Sequence, residues 1–247
     1  GGAWAVIAEA LGCKKIGRQR EVLNNSIRES GATLIWPMGE DGWVRHLENG
    51  ITYCFDVTKC MFSSGNVTEK ARVAGFDCKD QVVVDMFAGI GYYTLPYLCK
   101  AGAKHLYACE WNPEAVKALR TNLKENGVED ARCTVLEGDC RANAPVGVAD
   151  RVNLGLIPSS EMAWPAAIRS LCARGGWLHV HTNCLEKDIG RWATDHCAQR
   201  LADIAREQGR AVDAVQVRHV ERVKWYAPKV RHIVVDVEVT FVTEKHK

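Results

Sequence analysis

The chain has 247 residues, of which 47% are hydrophobic and 25% charged, and its formal net charge is +2. That length allows one large domain, or one domain with a small appendage, of ordinary globular composition. No window approaches 18 uninterrupted apolar residues, which excludes a membrane-spanning helix, and the near-neutral charge does not by itself call for a polyanionic partner.

The first residues, GGAWAVIAEALGCKKIG, contain an apolar run with no basic residue before it, so they do not read as a signal peptide. They read as part of a helix that continues upstream, and the chain is expected to be truncated there. A basic helical stretch is predicted over about 5–30. It is followed by short strands separated by turns at Gly39 to Gly42 and at Asn49-Gly50. Residues 1–60 are therefore expected to form a small N-terminal α+β subdomain, and residues 61–247 the main domain.

Eleven cysteines are scattered without a C-x-x-C pair, several of them in apolar runs (Cys99, Cys109, Cys172). Buried reduced thiols explain this pattern better than metal ligands or disulfides, and they point to the cytosol.

From residue 82 onward, short β-rich runs alternate with helical periodicities. Strands are predicted at 82–86, 104–109, 132–137, 150–156, 176–182, 214–224 and 230–242. Helices are predicted at about 92–101, 113–126, 161–173 and 186–209. Asn112-Pro113 suits a helix start, and Asn126-Gly127 suits its end. Alternation of this length means parallel βαβ units. The last two runs have no helix between them and fit an antiparallel hairpin. The expected fold is α/β: a class I methyltransferase-like (Rossmann-like) doubly wound sheet closed by a C-terminal hairpin.

The stretch 82–96, VVVDMFAGIGYYTLP, is a strand that ends in Asp85 and runs into a glycine-spaced loop. Such glycines let backbone approach a ligand and turn tightly into a helix. Glu110 ends the next strand, 21 residues past Gly89, where an acid can accept both hydroxyls of a ribose. Asp139 ends the third strand, where it can accept the exocyclic amine of adenine. Three strand ends thus converge on an adenosine. No basic residue lies in the glycine loop, so S-adenosyl-L-methionine is favoured over a nucleotide phosphate. The candidate cofactor contacts here are Asp85, Phe87, Ala88, Gly89, Glu110, Trp111 and Asp139. After the fourth strand stands NLGLIPSS (153–160), which lacks the double proline and aromatic ring of amino-group methylases that flip a base.

FSSGNVTEK (62–70), DMFAGIGYYTLP (85–96), CEWNPEAVKAL (109–119) and ADRVNLGLIPSSE (149–161) together resemble the wybutosine-synthesising tRNA aminocarboxypropyltransferases. These are relatives of the tRNA guanine-37 N1-methyltransferases. The resemblance implies transfer of the 3-amino-3-carboxypropyl group of S-adenosylmethionine to C7 of 4-demethylwyosine at position 37 of tRNA-Phe, with release of methylthioadenosine. It also implies that the partner is the anticodon loop of tRNA-Phe, with no obligate protein partner. By the same resemblance Ser63 and Lys70 would contact the cofactor, Lys70 at its methionyl carboxylate. Glu110 would hold the ribose, and Asp139 with the Cys140 backbone the adenine. Asn153, Pro158 and Ser159 would face the target base. No residue is assigned as general base and no metal is expected. The alternatives are a guanine-37 N1-methyltransferase, for which Glu161 is the one acidic candidate, and a non-catalytic RNA-binding module that keeps a cofactor pocket.

Three further features are read both ways. His179 and His181 share a strand face at i, i+2 spacing, which suits a satisfied polar pair better than a metal site. Trp225-Tyr226 lies between basic residues and could either stack on a splayed nucleotide or pack the hairpin. The basic stretches 13–20 and 217–232 are either solvated edges or patches for a phosphate backbone.

Overall fold

The computed structural model describes residues 2–20 and 30–242. At the N-terminus, helix α1 (Gly2–Ala10) is followed by strands β1 (Ile16–Arg18) and β2 (Thr33–Trp36), which pair antiparallel. The predicted helix over 5–30 is thus corrected. Gly12 turns the chain with a φ of +61°, and Lys15 ties the segment down by donating to the Asp41 carboxylate at 2.9 Å and the Trp43 carbonyl at 3.0 Å. The remainder of that prediction, 21–29, lies outside the described residues. β3 (Trp43–Glu48) and β4 (Ile51–Asp56) form a hairpin whose turn, Asn49-Gly50, has positive φ at both positions (+52° and +71°). Such a pair of angles is what a two-residue turn matched to strand twist requires.

The main sheet begins after α2 (Val67–Ala74) with β5 (Val82–Asp85). The chain then runs through α3 (Thr94–Cys99), β6 (His105–Glu110), α4 (Pro113–Glu125), β7 (Cys133–Glu137), α5 (Cys140–Asn143), β8 (Arg151–Leu154), α6 (Trp164–Ser170) and β9 (Gly175–Leu185). The predicted 186–209 helix is interrupted in its hydrogen bonding. It comprises α7 (Ile189–Arg191), a π-helical stretch over Trp192–Ala198, and α8 (Gln199–Glu207). β10 (Val212–Ala227) and β11 (Val230–Phe241) close the sheet as a long antiparallel hairpin.

Seven strands lie in the order β10-β11-β9-β8-β5-β6-β7, with the five from β9 to β7 parallel. β5 and β8 run side by side while their connections leave in opposite directions, so a crevice opens beyond their carboxyl ends. The reason for this arrangement is legible in burial. Val83, Val84, Val152, Leu154, Leu178 and Val180 are fully buried, as central parallel strands covered on both faces must be.

Two apolar layers flank the sheet. On one side Trp164, Ile168, Leu201 and Ile204 pack on β8, β9 and β11. On the other, Leu95, Leu98 and Leu119 pack on β5 and β6, and Ile51, Tyr53 and Phe55 of the β3–β4 hairpin join them. Two amides, one in α4 and one just past its end, hold that hairpin in place: Asn122 accepts from the Cys54 N–H at 2.6 Å, and Asn126 accepts from the Thr52 N–H at 2.9 Å. No described helix is long and apolar enough to cross a membrane.

Candidate functional site

The loop after β5 is stitched to its neighbours beyond the strand ends. The Met86 N–H donates to the Asn153 carbonyl and the Ala88 N–H to the Cys109 carbonyl, both at 3.0 Å. Gly89 then adopts a φ of +55°, and a Cβ there would stand 2.5 Å from the Tyr92 ring. Only glycine satisfies both conditions. The loop therefore presents its backbone closely to whatever lies above it.

What lies above it is a cleft of about 450 Å³, a size typical of small-molecule sites. Phe87, Gly89, Glu110, Trp111 and Ser63 form part of its wall, and Pro158 and Ser159 line it as well. A small recess lined by Glu110, Asp139, Cys140 and Met162 adjoins it.

Glu110 organises the whole region. One carboxylate oxygen accepts from the Gly89 N–H at 2.8 Å. The other accepts from the N–H groups of Trp111 at 3.0 Å and Asn112 at 2.8 Å. Burial pushes its carboxyl up, and these N–H groups pull it back down. A carboxylate held by three backbone donors is fixed in position. The oxygen facing Gly89 still has a lone pair to offer. Asn112 caps α4, its side chain accepting from the Glu114 N–H at 3.0 Å, with Pro113 in the first turn. Asp139 likewise caps α5, accepts from the Arg141 guanidinium at 2.5 Å, and is held below the usual carboxylate range chiefly by that contact.

Four of the predicted site residues stand in neither the cleft wall nor the adjoining recess. Asp85 is fully buried beneath the loop, where it accepts from Asn153 at 3.0 Å and from the Thr94 hydroxyl at 2.8 Å. Asn153 is 0% exposed, so its amide orients Asp85 instead of facing the cleft. Ala88 is also fully buried, with its N–H committed to the sheet. Lys70 is the largest displacement from expectation: it is 1% exposed, with its ammonium 2.5 Å from Glu48 of β3 and 4.8 Å from the Phe62 ring centre. A buried cation needs a carboxylate, and Glu48 supplies it. Replacing Lys70 with methionine is expected to cost about 3–5 kcal/mol of stability, because Glu48 is left as an uncompensated buried charge. Urea unfolding at pH 7 reads this loss.

Sequence reasoning missed several wall residues, among them Cys60, Asn66, Tyr93, Ile90, Met162 and His232. Asn66 lay in a quoted motif and had a signal. His232 lies on the far hairpin, distant in sequence from Gly89, and nothing near the glycine loop marks it. Glu161 is exposed and pairs with His196 at 3.2 Å.

The two strand histidines are buried and partnered differently. His179 contacts Asp236 at 2.6 Å and Arg151 at 2.7 Å, while His181 meets His232 at 3.1 Å. Among the described residues no cluster of ligands suits a metal ion. Burial holds His181 well below the ordinary histidine value, and burial together with the Lys224 charge brings His232 down to about 4. Both are neutral in the folded protein at pH 7. Because their folded values are depressed, their contribution is complete above the unfolded value of about 6.5 and is lost as pH falls toward 4. Stability is expected to decline over that window, and His232→Gln is expected to flatten the decline. Urea midpoints at pH 7 and 5 check it.

Of the basic patches, Lys15 serves structure, as above. In the hairpin, Arg218 pairs with Glu238, while Arg222 and Arg231 share Glu186. Trp225 and Tyr226 are both more than half exposed, and the Arg231 guanidinium stacks 3.8 Å from the Trp225 ring centre.

Sheet order, closing hairpin and the cleft at the switch point define a class I methyltransferase-like protein. A family model, the TRM5/TYW2 methyltransferase domain, matches residues 44–213, more than half of the chain. The chain belongs to the TRM5/TYW2 family. Over 234 residues it is 52% identical to the Arabidopsis thaliana tRNA wybutosine-synthesizing protein 2/3/4, covering 95% of this chain and 23% of that protein. It therefore spans about a quarter of that relative's length. Its fold is similar to Pyrococcus horikoshii TYW2 in complex with MeSAdo (TM-score 0.79, 33% identity, 96% of this chain and 81% of that one). It is also similar to Methanocaldococcus jannaschii TYW2 in complex with AdoMet (TM-score 0.75, 32% identity, 85% and 91%).

Proposed function

We propose that this chain is a tRNA-modifying transferase that takes the 3-amino-3-carboxypropyl group of S-adenosylmethionine and places it on C7 of 4-demethylwyosine at position 37 of tRNA-Phe. The observation that carries the reading is Glu110, whose carboxylate is pinned at the cleft wall by three backbone N–H groups. The 52% identity to a wybutosine-synthesizing relative and the AdoMet and MeSAdo complexes of the solved relatives support it.

The residues present fit the donor. The open lone pair of Glu110 suits a ribose hydroxyl. The recess at Asp139 and Cys140 suits adenine, with the Cys140 N–H at the first position of α5, where a helix leaves it without an intrahelical partner. Phe87 and Trp111 supply apolar walls, and Ser63 stands at the other end of the cleft. When bound, S-adenosylmethionine supplies a sulfonium whose γ-carbon can be displaced, leaving methylthioadenosine. The chain's own contribution is to orient and enclose, which is the larger part of such catalysis. Asp85, Asn153 and Thr94 lock the loop, and Ser159 with Pro158 faces the acceptor. The Pro158 carbonyl is held by the Thr182 hydroxyl at 3.0 Å and the Asn183 N–H at 2.9 Å.

The acceptor partner in this reading is the tRNA-Phe anticodon loop, with the stacked Trp225–Arg231 pair and Tyr226 as a platform for an unpaired base. Free thiols at all eleven cysteines fit a reducing, cytoplasmic setting.

The test is a pair of labelled donors. With tRNA carrying 4-demethylwyosine, label from the donor's carboxyl carbon is expected in the tRNA and label from the sulfonium methyl is not. The reverse result would make the chain a guanine-37 N1-methyltransferase. No transfer of either label, with donor bound, would make it a binding module.

A further inference from the structure

Attack by C7 leaves a hydrogen on the carbon that has gained a substituent, and a group in the cleft has to take it as a proton. Five ionisable side chains stand in the described wall: Cys60, Tyr92, Tyr93, Glu110 and His232. Burial pushes the Cys60 thiol up to about 12 and drives both phenols upward, so all three keep their protons at pH 7. Glu110 is committed to three backbone N–H groups at the ribose end. His232 remains.

His232 is buried at the cleft wall, and its Nδ1 has no hydrogen-bond partner among the described residues. Buried polar atoms are almost always hydrogen-bonded, so an orphan in a cleft wall marks a place for an atom that arrives with the ligand. Its Nε2 stands 3.1 Å from Nδ1 of His181, which fixes the ring and gives a second imidazole to share any charge placed on the first. Strand register sets His232 beside the segment that faces the acceptor. It lies opposite Asn183 of β9, whose N–H holds the Pro158 carbonyl at 2.9 Å, and Ser159 bridges to the adjacent Thr182.

We propose that His232 is the general base of the transfer, its bare Nδ1 receiving the proton that C7 must lose. The inference rests on the reaction proposed above and deepens it. As the C7–Cγ bond forms, the Cγ–S bond breaks and its electron pair stays on sulfur in neutral methylthioadenosine. The C7–H pair then returns to the ring of the acceptor, and the proton goes to Nδ1 while Nε2–H stays on His181. The cleft starts with a sulfonium and a neutral imidazole and ends with a thioether and an imidazolium, so its charge is conserved. Product release lets the proton pass to water.

The surroundings suit this task. Facing the imidazole are His181 of β9 and Lys224 of β10, with Arg72 of α2 and Asp236 of β11 beyond His181. Burial and the Lys224 charge keep His232 uncharged beside a sulfonium, ready to accept. A weak acceptor suffices, because a cationic ring carbon bearing both hydrogen and a new substituent is a strong acid.

The experiment has a kinetic and a spectroscopic arm. His232→Asn is expected to slow single-turnover transfer about 100-fold, the low end for a lost general base, with S-adenosylmethionine affinity within about threefold by calorimetry. With tRNA deuterated at C7, the unaltered protein is expected to show no primary isotope effect and the variant to show one, since proton loss has become slow. The second arm needs no variant. Nitrogen-15 NMR of histidine-labelled protein is expected to show His232 with a bare Nδ1 and a protonated Nε2, uncharged from about pH 8 to about pH 5.

A proton on Nδ1 would overturn the assignment, since that nitrogen would have no lone pair to offer. So would transfer within about threefold of the unaltered rate. Slow transfer without an isotope effect would overturn it too, and would make His232 a support for the acceptor segment. Transfer of the methyl group, or of nothing, by the unaltered protein would remove the reaction proposed above and the base role with it, a distinct outcome.

Discussion

Glu110→Ala is expected to weaken S-adenosylmethionine binding by about 100-fold, corresponding to ~3 kcal/mol for the charge-assisted hydrogen bond and the loop alignment lost with it. The effect has two sources. The ribose loses its acceptor, and the N–H groups of Gly89, Trp111 and Asn112 lose the carboxylate that aligns loop, strand end and helix cap. Glu110→Gln keeps the volume but does not restore the function. Both carboxylate oxygens accept from N–H groups, so an amide must turn its own NH₂ against one of them. Titration calorimetry measures both variants, with a thermal melt showing that the fold persists. An affinity within about threefold of the unaltered protein would remove Glu110 from the site.

The second large effect concerns stability. Asp236 accepts from Arg72 at 2.6 and 3.2 Å and from His179 at 2.6 Å, and Arg72 also pairs with the fully buried carboxylate of Glu69 at 2.8 Å. This network joins α2 to β11, with Arg72 and Asp236 164 residues apart in sequence. Asp236→Ala leaves a partly buried guanidinium with one partner fewer and a buried imidazole with none on that side. The expected cost is about 3–5 kcal/mol. Asp236→Asn is expected to cost less, since it keeps one acceptor. Burial pushes the Asp236 carboxyl up, but the His179 and Arg72 contacts override it and hold it well below the usual range. A depressed folded value means that the stabilisation is complete above the unfolded value of about 4 and is lost as pH falls below it. The acid limb of the unfolding curve should therefore be shallower in Asp236→Asn. Urea unfolding across pH 3–7 checks both statements, and a loss under about 1 kcal/mol in Asp236→Ala would contradict them.

The sheet was legible because its strands obey local rules. Val82–Asp85 and His105–Glu110 are short apolar runs ending in acids, and α4 carries its own start and stop in Asn112-Pro113 and Asn126-Gly127. The glycine loop and Glu110 were legible for the same reason: each sits at a strand end whose position the pattern fixes. The basic N-terminal stretch misled because charge says little about periodicity, whereas Gly12 and the Lys15 contacts decide the backbone there.

Lys70 and Asn153 show a different limit. Their motifs placed them near the cleft, but whether a side chain faces the ligand or the core depends on a partner elsewhere, Glu48 for one and Asp85 for the other. His232 shows the converse. It reaches the cleft through the hairpin, which no local signal near the glycine loop carries.

The most direct measurement is the identity of the small-molecule product. The protein is incubated with S-adenosylmethionine and tRNA-Phe carrying 4-demethylwyosine, and the nucleosides released are separated and weighed by mass spectrometry. The account predicts methylthioadenosine, in amounts matching tRNA that has gained an aminocarboxypropyl group. S-adenosylhomocysteine with methylated tRNA would contradict it, and would mean that the cleft presents the methyl group instead of the γ-carbon.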